Sequence, residues 1–183
     1  PHWGPLSIKA AKGGSEFYKS GDALYRVDDS SLLIFNEGKY YESWIVSGEP
    51  VETLTLNMTP AFERQALEAL KATRNGIIDT YGSVERIRFT ERLYSSTPRL
   101  EYLIQNIRTL ACNLKANHSR IQELFFDVFV EMVGLQGSSD REALATGKTR
   151  ASARTELHRR LLVAKDYLHA CFNEDVALDD LAR

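Results

Sequence analysis

The amino-acid sequence predicts an α+β protein, with a β-rich first half forming a sandwich or barrel and helices after it. Three observations carry this expectation. Up to about position 94, short runs rich in aromatic and β-branched residues are separated by clusters of Gly, Asp, Ser and Asn, the punctuation of strands and turns. After Asn57 the apolar spacing lengthens to intervals of three and four, the helical period. Thr59-Pro60 and Thr97-Pro98 each place a capping hydroxyl before a proline at the first helical position.

In chain order, strands are expected over 6–11, 16–19, 23–27, 32–35, 40–46 and 51–57. Ser20-Gly21-Asp22 suits a hairpin turn, while Asp28-Asp29-Ser30 and Ser47-Gly48-Glu49-Pro50 suit loops. Phe62, Ala66, Leu67 and Leu70 share one face of a helix over about 60–74, ending near Asn75-Gly76. Residues 83–94 read as irregular, although Val84, Ile87, Phe89 and Leu93 permit a last strand.

Beyond Thr97, Leu100, Leu103, Ile107, Leu110 and Leu114 recur at coiled-coil intervals and form one narrow stripe, the expected dimerisation element. Burial of that stripe against the β half is the alternative. Ser119 with Gln122 makes a capping box, and Ile121, Leu124, Phe125, Val128, Met132 and Leu135 draw a second stripe. Residues 96–136 therefore read as an antiparallel helical pair joined by a short connection at 115–118. Gly137-Ser138-Ser139 opens a polar stretch, so 137–154 reads as a linker. A last helix is expected over about 155–171, with Leu157, Leu161, Ala164, Leu168 and Cys171 inward and Arg159, Arg160 and Lys165 outward. Leu178-Asp179-Asp180-Leu181-Ala182 opens a further helix that the chain does not finish, which suggests truncation.

At 183 residues, with 43% hydrophobic and 26% charged residues, the chain has the composition of an ordinary globular protein. Its formal charge of -2 lacks the Lys and Arg surplus of a module that grips duplex DNA. Cys112 and Cys171 lie far apart and read as reduced, packed thiols. No apolar run is long enough for a membrane span, and Pro1-His2-Trp3-Gly4 lacks the regions of a secretory signal, so a cytoplasmic protein is expected.

The tail Glu156-Leu157-His158-Arg159-Arg160-Leu161-Leu162-Val163-Ala164-Lys165-Asp166-Tyr167-Leu168-His169, followed by Leu178-Asp179-Asp180-Leu181-Ala182, resembles the entry to an AraC/XylS-type DNA-binding domain. Gly14-Ser15-Glu16-Phe17-Tyr18, Tyr25-Arg26-Val27 and Leu32-Leu33-Ile34-Phe35-Asn36-Glu37-Gly38-Lys39-Tyr40-Tyr41 resemble the sensor half of such regulators. Val51-Glu52-Thr53 and Thr59-Pro60-Ala61-Phe62 continue that pattern in order. The resemblance implies a cupin-like β-barrel, or jelly roll, over 1–95 that senses an unidentified small-molecule effector. It further implies a helical pair that assembles a homodimer, then a linker, then two helix-turn-helix units of which 155–183 holds only the start. DNA would be read through those missing units, because base readout needs a recognition helix in the major groove. Lys148, Arg150, Arg154, Arg159 and Arg160 form a basic cluster that reads as a solvated helix face, with phosphate contact in the intact protein as the alternative.

A cupin-type enzyme is the competing reading of a barrel. The histidines are His2, His118, His158 and His169, and none lies in a central expected strand, while Tyr41 and Ser43 stand where imidazoles would be wanted after Gly38. Neither a nucleophile elbow nor a phosphate loop is present, so neither catalysis nor a cofactor is expected. Tyr18, Tyr25, Tyr41 and Trp44 are the candidate pocket residues, with core filling as the alternative for each. Strand alternation puts Tyr41 and Trp44 on opposite faces of a regular strand. A plain dimerisation module without a ligand is a further alternative.

Overall fold

A computed structural model describes residues 2–73, 86–145 and 151–177 of the chain. The order is β1 (His2–Trp3), β2 (Leu6–Lys12), β3 (Glu16–Ser20), β4 (Ala23–Val27), β5 (Ser31–Phe35), β6 (Tyr40–Ile45), β7 (Glu52–Met58), α1 (Pro60–Thr73), β8 (Leu93–Ser95), α2 (Pro98–Ala111), α3 (Leu114–Ala145) and α4 (Ala151–Ala170). The strands form two antiparallel four-stranded sheets, β1-β6-β3-β4 and β7-β2-β5-β8, which do not close into one barrel. The fold is therefore α+β.

The second sheet is the middle layer of the molecule. Along β5, Leu32 and Ile34 enter a core shared with α1, α2 and α3, while Leu33 and Phe35 enter a second core facing the first sheet. The period of two divides an unbroken apolar run between both sides. Along β2 the same alternation sends Leu6, Ile8 and Ala10 towards the helices and turns Ala11 to the other side. Lys9 has the parity of Ala11 and so points between the sheets.

The expected caps and turns are present at several points. Thr59 Oγ1 accepts from Phe62 N at 3.2 Å, and Thr97 Oγ1 accepts from Leu100 N at 3.2 Å. The β3–β4 hairpin turns through Gly21, whose φ of +60° lies in the left-handed region that glycine reaches without strain. Leu93 to Ser95 pair with Leu33 to Ser31, so the permitted last strand forms in an otherwise irregular stretch over 86–97. The expected end of the first helix near Asn75-Gly76 lies outside the described residues.

Three readings of the helical half are corrected. First, α3 begins at Leu114, not at a box on Ser119, because Asn113 Oδ1 accepts from Ala116 N at 3.3 Å and provides the earlier cap. Second, the helix continues through 137–145, where a linker is expected. Polar packing holds it there: Gln136 Oε1 accepts from Thr90 N at 2.6 Å, Gln136 Nε2 donates to Asp140 at 2.6 Å, and Ser139 is buried. Third, α4 buries His158, Leu162 and Asp166 and exposes Leu157, Leu161 and Leu168. The helix is turned by roughly one residue, about 100°, from the expected face, because Asp166 meets an edge-strand donor, the backbone N–H of Leu93, at 2.9 Å.

Candidate ligand-binding site

Lys9 is 2% exposed and projects from β2 into the space between the sheets. Its ammonium donates to the Tyr41 hydroxyl at 2.7 Å and to Thr55 Oγ1 at 3.4 Å, and it lies 4.7 Å from the centroid of the Tyr41 ring. An ammonium has three hydrogens to donate, so one remains for the adjoining cavity. Among the described residues no carboxylate lies within ion-pair distance of it. Burial lowers the Lys9 pKa to about 8, and the more distant Glu16 partly offsets this.

The cavity measures about 330 Å³ and is lined by Lys9, Glu16, Tyr18, Tyr41, Ser43, Thr55 and Asn57, with Gly4 and Pro5 at one side. Burial, reinforced by Glu16, raises the pKa of both the Tyr18 and the Tyr41 phenol, so both stay neutral hydrogen-bonding groups. The arrangement is one buried cation ringed by hydroxyls and an amide, with the Glu16 carboxylate also on the cavity wall. Lys9 can offer a charge-assisted hydrogen bond to an anion, and the hydroxyls and amide can bond further polar groups.

Of the four candidate aromatics, Tyr18 and Tyr41 line this cavity and the other two do not. Trp44 is 39% exposed and stacks on Phe17 across the outer face of the first sheet, centroids 5.8 Å apart. Strand parity excludes it from the face that Tyr41 uses. Tyr25 sits behind the pocket, edge-on to Phe35 at 5.9 Å, and donates to Glu91 O at 3.3 Å. Phe35 also stacks on Tyr41 at 4.7 Å, and Leu93 belongs to the same core cluster. Leu93 in turn donates to Asp166 of α4, so an unbroken chain of contacts runs from the pocket wall to that helix.

Lys9 was not legible as a site residue. In sequence it reads as the solvent side of a half-buried strand, and its only signal is its parity in a sheet that is covered on both faces.

A second cavity, of about 360 Å³, lies beside Asn36, Glu63 and Glu91. Its cations Lys39 and Arg86 are already paired, Lys39 with Glu91 at 2.7 Å and Arg86 with Glu37. Its third cation, Arg88, is exposed, so this cavity offers no buried cation of the kind Lys9 provides.

Of the expected dimerisation stripe, Leu100, Leu103 and Ile107 are buried in this chain's own core and Leu110 packs against it. Leu114 is exposed. In the basic cluster, Arg159 and Arg160 both pair with Glu156, at 2.9 and 2.7 Å, while Lys148 and Arg150 lie outside the described residues. Cys112 is exposed and Cys171 buried. Among the described residues, no three His, Cys, Asp or Glu side chains converge as a metal site, and no helix is long and apolar enough to cross a membrane.

No family model matches this sequence, and no curated protein matches it. Among solved structures, the chain is similar to an apo variant of ToxT from Vibrio cholerae, a regulator of the AraC family. The TM-score is 0.51 at 13% identity, and the match covers 98% of this chain and 70% of that one. The likeness is one of fold.

Proposed function

We propose that this chain is the effector-sensing region of an AraC-type transcription regulator and that its effector is a small anion bound over Lys9. The observation that carries the reading is the buried Lys9 ammonium, held by Tyr41 and Thr55 at the wall of a cavity, with no acid in ion-pair reach among the described residues. An ammonium at that depth is costly unless it is paired, so an anion that completes the pair gains a strong, charge-assisted contact. The fold shared with ToxT and the resemblance of 156–169 to a DNA-binding entry helix supply the regulatory context.

In this reading the two sheets correspond to an open cupin-like jelly roll, and the helical half carries subunit assembly, with α4 leading to helix-turn-helix units in a cytoplasmic protein. The effector acts by favouring one presentation of α4 over another, and it can shift that balance only by its differential affinity for the two. Catalysis has no part in it. The site offers one cation held by Tyr41 and Thr55, with Glu16, hydroxyls and an amide around it, an arrangement suited to holding and orienting an anion.

A thermal-unfolding screen of matched carboxylic acids and their primary amides tests the reading. A specific acid at a hundred times its Kd should stabilise the chain by about 2.7 kcal/mol, with its amide inert. Equal shifts from acid and amide, or no shift from any acid, would remove the anion-sensing role.

A further inference from the structure

We infer that α4 is a releasable strap, fastened to the sheets by the Asp166 carboxylate and freed as a unit while the sheets stay folded. Its consequence for transcription rests on the reading above, but the mechanical claim rests on α4 alone. The helix packs on β4 and more sparsely on α3, meets the edge strand β8 through Leu93, and has an unusual distribution of polarity. Its docked face carries His158 and Asp166, while Leu157, Leu161 and Leu168 point to solvent. Leu162 is its one fully buried leucine among the described residues, whereas α2 buries Leu100, Leu103, Ile104 and Ile107. A helix that buries so little apolar surface belongs to the low-stability end of a molecule, where local opening precedes global unfolding.

The docked position is instead set by directional contacts. Asp166 Oδ2 accepts from Leu93 N at 2.9 Å and caps the exposed edge of the second sheet. At the far end, the Arg26 guanidinium lies 4.6 Å from the Phe172 ring centroid, and His169 Nε2 is 3.9 Å from Asp28. Lys165 on α4 and Arg92 beside β8 face the Asp166 carboxylate, and Arg92 is itself paired with Glu142 of α3 at 2.5 Å. Of these contacts the Asp166 fastening is buried and the other two are partly exposed. Leu93 shares its cluster with Phe35 and Tyr41, so the fastening stands at the end of the contact chain that begins at the Lys9 pocket.

Hydrogen exchange and thiol labelling of the whole chain at neutral pH test this without any ligand. Cys171, buried just beyond α4, reports release, and the exposed Cys112 is the internal standard. In Asp166→Ala, Cys171 labelling and amide exchange across 156–170 should rise about tenfold or more, since the buried Leu93 donor loses its acceptor. Peptides from β2 and β5 should keep their wild-type exchange. Asp166→Asn retains an oxygen for Leu93 N and buries no charge, so its protection should equal or exceed that of wild type. Unchanged protection of Cys171 in the alanine variant overturns the proposal, as does loss of protection in α4 and both sheets together. Because no effector enters the experiment, failure of the acid screen and failure of the strap are separate outcomes.

Discussion

The Lys9 ammonium meets Tyr41 in two ways, donating to its hydroxyl at 2.7 Å and lying 4.7 Å from the centroid of its ring. The two residues come from different sheets, β2 and β6, so the contact spans the layer between them. Tyr41 also stacks on Phe35, and any displacement of the ammonium therefore bears on the aromatic cluster behind it.

If Lys9 serves recognition and not stability, Lys9→Met should fold normally. Removing a buried ammonium relieves a desolvation cost of several kcal/mol that two neutral partners only partly offset, and methionine fills a similar volume. The thermal midpoint is expected to equal or exceed wild type. A fall of roughly 6 °C or more, about 2 kcal/mol for a chain of this size, would mark Lys9 as a structural clamp.

The core between the sheets and the outer face of the first sheet should differ in their sensitivity to truncation. Phe35→Ala removes a fully buried ring that touches Tyr18, Tyr25 and Tyr41 and should cost about 3–5 kcal/mol. Trp44→Ala loses only a half-exposed stack on Phe17 and should cost about 1 kcal/mol. Urea titrations of both variants give the comparison, and equal costs would contradict the assignment of Phe35 to the core and Trp44 to the surface.

The leucine stripe of α2 yields a third contrast. Leu103→Ala should destabilise the chain itself by about 2–5 kcal/mol, because its side chain packs in the shared core. Leu114→Ala should fall within about 0.5 kcal/mol, since that residue is exposed. Sedimentation at several concentrations separates folding from assembly. A Leu103→Ala protein that stays fully folded and merely dissociates would restore the stripe as a subunit contact.

Much of the β half was legible because local rules agree there. Turn residues, β-branched runs and the Thr59 and Thr97 caps each act within a few positions, and the strands over 16–20 and 23–27 follow from them nearly residue for residue. The helical half depended on tertiary partners instead. Gly137-Ser138-Ser139 has linker chemistry, yet Gln136 binds Thr90 in the segment before β8 and donates to Asp140 one turn on, and the helix continues. The leucines of α4 pointed to the wrong face because a single acceptor for Leu93 N outweighs a periodic stripe that has nothing to cover it among the described residues. Lys9 escaped notice for a related reason: its burial follows from a sheet covered on both faces, which no local pattern around β2 announces.

Asp166 should make strap release depend on pH. Burial raises its pKa from 3.8 to about 6, opposed by the Leu93 N–H, Lys165 and Arg92. The docked form therefore holds its proton more tightly than the released form, so docking is strongest below about 4 and weakens as pH rises through about 6. Exchange of α4 amides, corrected for intrinsic rates, should show this weakening in wild type and not in Asp166→Asn. A flat profile in wild type, or the same slope in both, would remove Asp166 as the group responsible.

The anion-sensing account is tested most directly by titrating the whole chain with the most stabilising carboxylate from the screen, at pH values on both sides of the Lys9 pKa of about 8. Binding needs the charged ammonium, so the anion raises that pKa in the complex and affinity should be constant below about 8, then fall as Lys9 in the free protein loses its proton. The account predicts a decline approaching tenfold per pH unit above that point and no binding to Lys9→Met. Affinity that is independent of pH from 7 to 10, or retained in Lys9→Met, would contradict it.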